Sequence, residues 1–168
     1  LTYTPDTFAC GVDIVGPSNL ETLLSTIPPY WAPVVAQFHE RMGNPNTPEG
    51  KQLLIDASPL YKADQIVKPL LIGQGANDPR VNQAESDQIV EAMKAKNIPV
   101  SYVLFPDEGH GFAKPSNNIA FNAVTENFLA TCLGGRAEPI ADTIEESTAQ
   151  IEEGADFVQG LKAAIDAD

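Results

Sequence analysis

Positive charge is scarce in this chain. Its 168 residues carry 10 lysines and arginines against 23 aspartates and glutamates, a formal net charge of −13. Such an acidic surface repels nucleic-acid phosphates and anionic lipid heads, which argues against nucleic-acid and membrane-surface partners. Long apolar runs are missing too. None approaches the roughly 20 residues of a membrane-spanning helix, and no basic, apolar, small-residue leader opens the chain. Histidine occurs only as His39 and His110, without an H-E-x-x-H pair, so no metal-site pattern is present. FHERM around His39 reads as an exposed helix end. Cysteine is limited to Cys10 and Cys132, which lack C-x-x-C spacing and sit in apolar runs. That predicts two buried thiols rather than a disulfide or a metal pair. The first residue is Leu1 rather than methionine, so a processed product or a fragment is expected.

What is present is ordinary globular material. The chain is 43% apolar and 20% charged, enough to bury a core within one domain. Charge is uneven: residues 136–168 hold nine acids and two bases, a net −7, which leaves −6 for the first 135 residues. Gly134-Gly135 is the natural cut between a body (1–135) and an acidic, helical tail (136–168).

Phe8–Gly16 (FACGVDIVG) reads as a buried parallel strand ending at a Gly-Pro turn. A proline-dense stretch follows to Pro69, broken into short helices near Asn19–Thr26, Ala32–Arg41 and Pro48–Asp56. Lys68–Gln74 is a second buried strand, and GANDPR is a turn. Val81–Lys96 is an amphipathic helix with Ile89, Ala92 and Met93 inward, although Glu85 falls on the same apolar side. Val100–Phe105 is a third strand and PDEGHGF a loop. Ala120, Val124, Phe128 and Cys132, four apart, mark a last helix that stops at Gly134-Gly135. Strand–helix–strand in this compass means parallel strands of an α/β sheet, whose C-terminal ends share the rim where such sheets place ligands.

Two residues fall on that rim. Asp78 lies four residues beyond Gln74 and His110 five beyond Phe105. An imidazole held by a carboxylate is the acid–base part of a nucleophilic triad. Asp107 and Glu108 would favour a protonated ring if they pointed at it. A surface loop histidine and an aspartate capping the following helix are the plainer alternatives. None of the seven serines lies in a G-x-S-x-G elbow; Ser18 in GPSNL comes nearest, and Ser58 reads as a turn or cap residue. The glycines of GQGAND do not make a dinucleotide loop, because Asp78 stands where the third glycine should and would repel pyrophosphate.

The segments FACGVDIVGPSNL, SPLYKADQIVKPLLIGQGANDPRV and YVLFPDEGHGF, in this order, resemble the C-terminal part of the α/β-hydrolase domain of a prolyl oligopeptidase-family serine peptidase, of the acylaminoacyl-peptidase or dipeptidyl-peptidase type. The resemblance covers residues 1–135 and rests on G-x-x-D-x-R-V at Gly75–Val81 and EGHGF around His110. It implies that Asp78 and His110 are triad acid and base, that Arg80 binds a substrate carbonyl, and that Trp31 lines the pocket for the residue before the scissile bond. For Arg80 a surface ion pair, with Glu85 for instance, is the alternative; for Trp31 it is core packing. The resemblance implies an acyl-enzyme mechanism on oligopeptides without metal or cofactor. It also implies an upstream elbow serine about ten residues before Leu1 and a β-propeller, so this chain alone would be inactive.

The tail has Ile144, Ile151, Val158 and Ile165 seven apart, the pattern of an amphipathic helix that docks on the body or pairs with another chain, a second copy included. Gly154 and Gly160 weaken that helix by about 1 kcal/mol each, and a solvated acidic tail is the alternative. A stand-alone, non-catalytic α/β interaction module using this helix is the competing reading of the whole chain.

Overall fold

The computed structural model describes residues 1–166. Its centre is a four-stranded sheet in the order β1 (Gly11–Ile14), β2 (Leu70–Gly75), β3 (Val100–Phe105) and β4 (Gln150–Glu153). The first three strands are parallel and β4 runs antiparallel to β3. Side chains alternate across the sheet, as the two-residue period of a strand dictates. Ile72, Val100, Tyr102 and Leu104 pack on one face with Ile89, Val90 and Met93 of α4 (Gln83–Lys94). Leu71, Val103 and Phe105 pack on the other with Phe121, Val124 and Phe128 of α5 (Pro115–Leu133). The helices therefore cover both faces of β2 and β3, and these strands are apolar along nearly their whole length.

The strand predicted for Phe8–Gly16 is shorter, four residues, and only half-buried. Among the described residues it pairs with β2 alone. The proline-dense segment forms α1 (Leu20–Ser25), a 3-10 turn over Pro29–Val34 that runs into α2 (Val35–Met42), and α3 (Pro48–Ala57). Asn19 and Thr47 cap α1 and α3 through their side-chain oxygens. A further 3-10 turn over Pro59–Gln65 was not predicted from the sequence. Among the described residues no helix is long and apolar enough to cross a membrane.

Two expectations are corrected. Cys10 and Cys132 form a disulfide, their Cα atoms 6.3 Å apart. Both cysteines are only partly buried, at the residue before β1 and near the end of α5, a proximity that 122 residues of separation hide. Closing so long a loop restricts the unfolded chain, which contributes about 2–4 kcal/mol. Thermal unfolding of the Cys10→Ser/Cys132→Ser variant is expected about 5–15 °C lower; an unchanged midpoint would contradict this.

The residues after Gly135 are not one amphipathic helix. They form a 3-10 turn at Ala141–Thr143, strand β4, another 3-10 turn at Ala155–Phe157, and the short α6 (Leu161–Asp166). Ile144, Ile151 and Val158 do pack on the α5 side of the sheet, while Ile165 stays exposed. Gly154 explains the break: its φ of 71° lies in the left-handed region, which turns the chain out of β4.

Candidate active site

Two backbone hydrogen bonds bring the turns after β2 and β3 side by side, and a third closes the first turn. Ala76 N–H donates to Phe105 O at 3.0 Å, Asn77 N–H to Glu108 O at 2.9 Å, and Asp78 N–H closes its own turn on Gly75 O at 3.2 Å. The Asn77 amide adds a bond to Pro106 O at 2.6 Å. Gly75 makes this approach sterically feasible. A Cβ there would lie 2.7 Å from both Glu108 C and Glu108 O, main-chain atoms that cannot swing aside. Gln74, fully buried at the end of β2, fixes the same turn by donating to Val81 O at 3.1 Å and accepting from Ser86 Oγ at 2.9 Å.

Within that frame Asp78 and His110 meet. Asp78 Oδ1 accepts from Arg80 N–H at 2.8 Å and Val81 N–H at 3.0 Å, and Oδ2 lies 2.8 Å from His110 Nδ1. The Asp78 side chain is 0% exposed and that of His110 is 32% exposed. An ionised carboxylate can only accept, so Nδ1 carries a proton, and in the neutral ring that leaves the lone pair on Nε2. The Asp78 carboxylate thus caps its own turn with one oxygen and holds the imidazole with the other, while the following helix α4 is capped by Asn82 instead.

His110 lines a cavity of about 460 Å3 together with Arg80 and Trp31. Its remaining wall is apolar, with Ile14, Leu23, Leu24, Ile27, Phe38 and Met42 among the residues facing it. Trp31 stacks at a tilt on Phe38, ring centres 5.5 Å apart. Val15, at φ 51°, turns the chain sharply off β1 into this wall, an uncommon conformation for a β-branched residue.

Other side chains sit elsewhere than the sequence implied. Asp107 and Glu108 do not face the imidazole. Glu108 is buried and folds back to accept from Ala113 N–H, Lys114 N–H and Asn117 Nδ2 at 3.0, 2.8 and 2.9 Å. Burial alone would raise its pKa, but these hydrogen bonds outweigh it and hold the carboxyl below its ordinary value. Asp107 is paired with Lys114 Nζ and Thr148 Oγ1, which lower its pKa to about 2. Arg80 does not pair with Glu85. Glu85 is buried on the inward side of α4, where it accepts from Ser18 N–H, Asn19 N–H and Thr22 Oγ1. That polar niche explains an acid on an apolar helix face. The roles of Asn117 and Gln74 escaped the sequence reading; a buried polar residue inside the apolar run of β2 was the one available signal.

Six of the seven serine hydroxyls donate to groups other than the imidazole. Ser18 donates to Glu85 O, Ser58 to Leu54 O, Ser86 to Gln74 and Ser101 to Gly154 O. Ser25 and Ser147 donate to main-chain carbonyls within their own turns, and Ser116 lies in the first turn of α5. His39 is half-buried in the last turn of α2. Among the described residues no three His, Cys, Asp or Glu side chains converge closely enough to hold a metal ion.

The model of the prolyl oligopeptidase family matches residues 1–136. The chain belongs to that family. It is 70% identical over 165 residues to dipeptidyl aminopeptidase BIII of Pseudoxanthomonas mexicana, covering 98% of this chain and 24% of that protein. It is 54% identical over 140 residues to dipeptidyl peptidase family member 6 of Caenorhabditis elegans, covering 83% and 19%. The chain thus spans about a quarter of the first relative's length and a fifth of the second's. Among solved structures it is similar to a puromycin-hydrolysing peptidase of Mycobacterium tuberculosis, with a TM-score of 0.69 and 26% identity over 78% of this chain and 19% of that one. This prolyl oligopeptidase-family chain therefore has the fold of an incomplete α/β-hydrolase domain of serine-peptidase type.

Proposed function

We propose that these residues form the acid–base half of a serine-peptidase site that cleaves short peptides. The observation that carries this reading is the 2.8 Å contact between a buried carboxylate and a half-exposed imidazole at the mouth of an apolar cavity. In the intact site a serine upstream of Leu1 gives its hydroxyl proton to His110 Nε2 as its oxygen attacks the peptide carbonyl carbon. Collapse of the tetrahedral adduct breaks the C–N bond, the imidazolium protonates the leaving amine, and an acyl-serine remains. Water then attacks the ester with His110 taking its proton, and return of that proton to serine frees the acid product. Asp78 keeps the imidazole in the required tautomer and stabilises its cation. The always-charged Arg80 guanidinium binds a main-chain carbonyl of the substrate, and Trp31 with its apolar neighbours receives the side chain before the cut. The names of the dipeptidyl relatives support short peptides as the substrate class.

On this reading the 168 residues supply acid, base and part of a pocket but no nucleophile. The isolated chain is expected to hydrolyse neither peptides nor activated esters, and to remain unlabelled by a fluorophosphonate probe. The longer polypeptide that includes the upstream segment should hydrolyse both and be labelled by the probe. Mass-spectrometric detection of probe on any of the seven serines of the isolated chain would overturn the assignment.

A further inference from the structure

His110 owes its position to its neighbours. It sits between Gly109 and Gly111, where Gly111 N–H closes a three-residue turn on Gly109 O at 3.0 Å. A Cβ on Gly109 would meet only Asn77 O, at 3.8 Å, and one on Gly111 would meet nothing, whereas Gly75 on β2 packs directly against Gly109 O. Downstream, Phe112 anchors the loop on Phe105, ring centres 4.6 Å apart. Upstream, Asn77 holds Glu108 O and Pro106 O, and the side chains of Asp107 and Glu108 both lead to Asn117.

Asn117 is fully buried. Its Nδ2 donates to Asp107 Oδ1 at 3.1 Å and to Glu108 Oε1 at 2.9 Å. Its Oδ1 accepts from Thr148, from N–H at 2.9 Å and from Oγ1 at 3.0 Å, and Thr148 Oγ1 also contacts Asp107. Thr148 precedes β4 by two residues, and β4 is fixed along the end of β3 by the pairs Leu104–Gln150 and Val103–Ile151. The strand that launches the His110 loop is therefore gripped on its outer side by a segment lying beyond the residues that the family model matches.

We infer that this C-terminal segment clamps the His110 loop through Asn117 and Thr148, which makes both of them positioning residues for the reaction. Neither touches substrate. They hold Asp107 and Glu108, hence the start of the turn, in register with Asp78. The inference rests on the reading of His110 as the base.

The test uses the full-length peptidase and a chromogenic dipeptide substrate. Asn117→Ala should lower kcat about tenfold with KM little changed, because a misplaced base slows chemistry and leaves the apolar cavity intact. Thr148→Val should lower kcat about threefold, and Thr148→Ser, which keeps the hydroxyl, should restore it. The double variant should be no slower than Asn117→Ala alone, since both act along one chain of contacts. If Asn117→Ala does not fold, the valine and serine variants at Thr148 decide. Parental kcat in Thr148→Val and Asn117→Ala, alongside an inactive His110→Ala, would overturn the clamp alone. An active His110→Ala would instead overturn the reading beneath it.

Discussion

Replacing His110 with alanine in the nucleophile-bearing polypeptide is expected to lower kcat by on the order of 10^4–10^6-fold, with KM nearly unchanged. The loss is that large because serine is a weak nucleophile until a base removes its proton. Asp78→Asn should cost about 10^4-fold for a different reason. Asp78 Oδ1 accepts two main-chain N–H groups, so the asparagine carbonyl oxygen must take that place and its NH2 must face His110 Nδ1. Nδ1 then has to accept, the ring proton moves to Nε2, and no lone pair is left for the serine. The fold should survive, since the turn keeps both capping bonds. Steady-state kinetics with circular dichroism checks both variants, and His110→Ala retaining a tenth of the parental kcat would refute the role given to it.

The second large effect is expected at a residue with no functional group. Gly75→Ala puts a methyl 2.7 Å from Glu108 main-chain atoms, and the pair of turns carrying Asp78 and His110 must separate to admit it. A displacement of about 1 Å at a catalytic pair costs about 10^2-fold in rate. Overpacking costs about 1–3 kcal/mol of stability as well. The expected signature is a kcat loss much larger than the fall in thermal midpoint accounts for. An alanine variant with parental kcat would mean that the turns part without disturbing the Asp78–His110 contact.

Much of this geometry follows from local pattern. Two apolar runs of strand length, with an amphipathic helix between them, place Asp78 and His110 just past parallel strands, and the structure has them 2.8 Å apart. Trp31 and Arg80 share a cavity with His110. What escaped the sequence depends on contacts between distant segments. The Cys10–Cys132 bond joins residues whose local surroundings look like any apolar core. The seven-residue spacing of Ile144, Ile151 and Val158 marks burial truly but fits a strand followed by a turn as well as a helix. The direction in which Asp107 and Glu108 point was set by Asn117, Lys114 and Thr148, none of which a sequence window around His110 weighs together.

The Cys10–Cys132 link also makes a covalent ring of most of the chain. Trp31, Asp78, Arg80 and His110 all lie within it, as does the proline-dense segment with its exposed Tyr30 and Val34. A single cut by a foreign protease in that segment opens the ring without dividing the molecule. The two pieces stay tethered at β1 and the end of α5, the sheet and its helices still hold them in place, and the site outlasts a nick that would release a fragment from an unbridged chain.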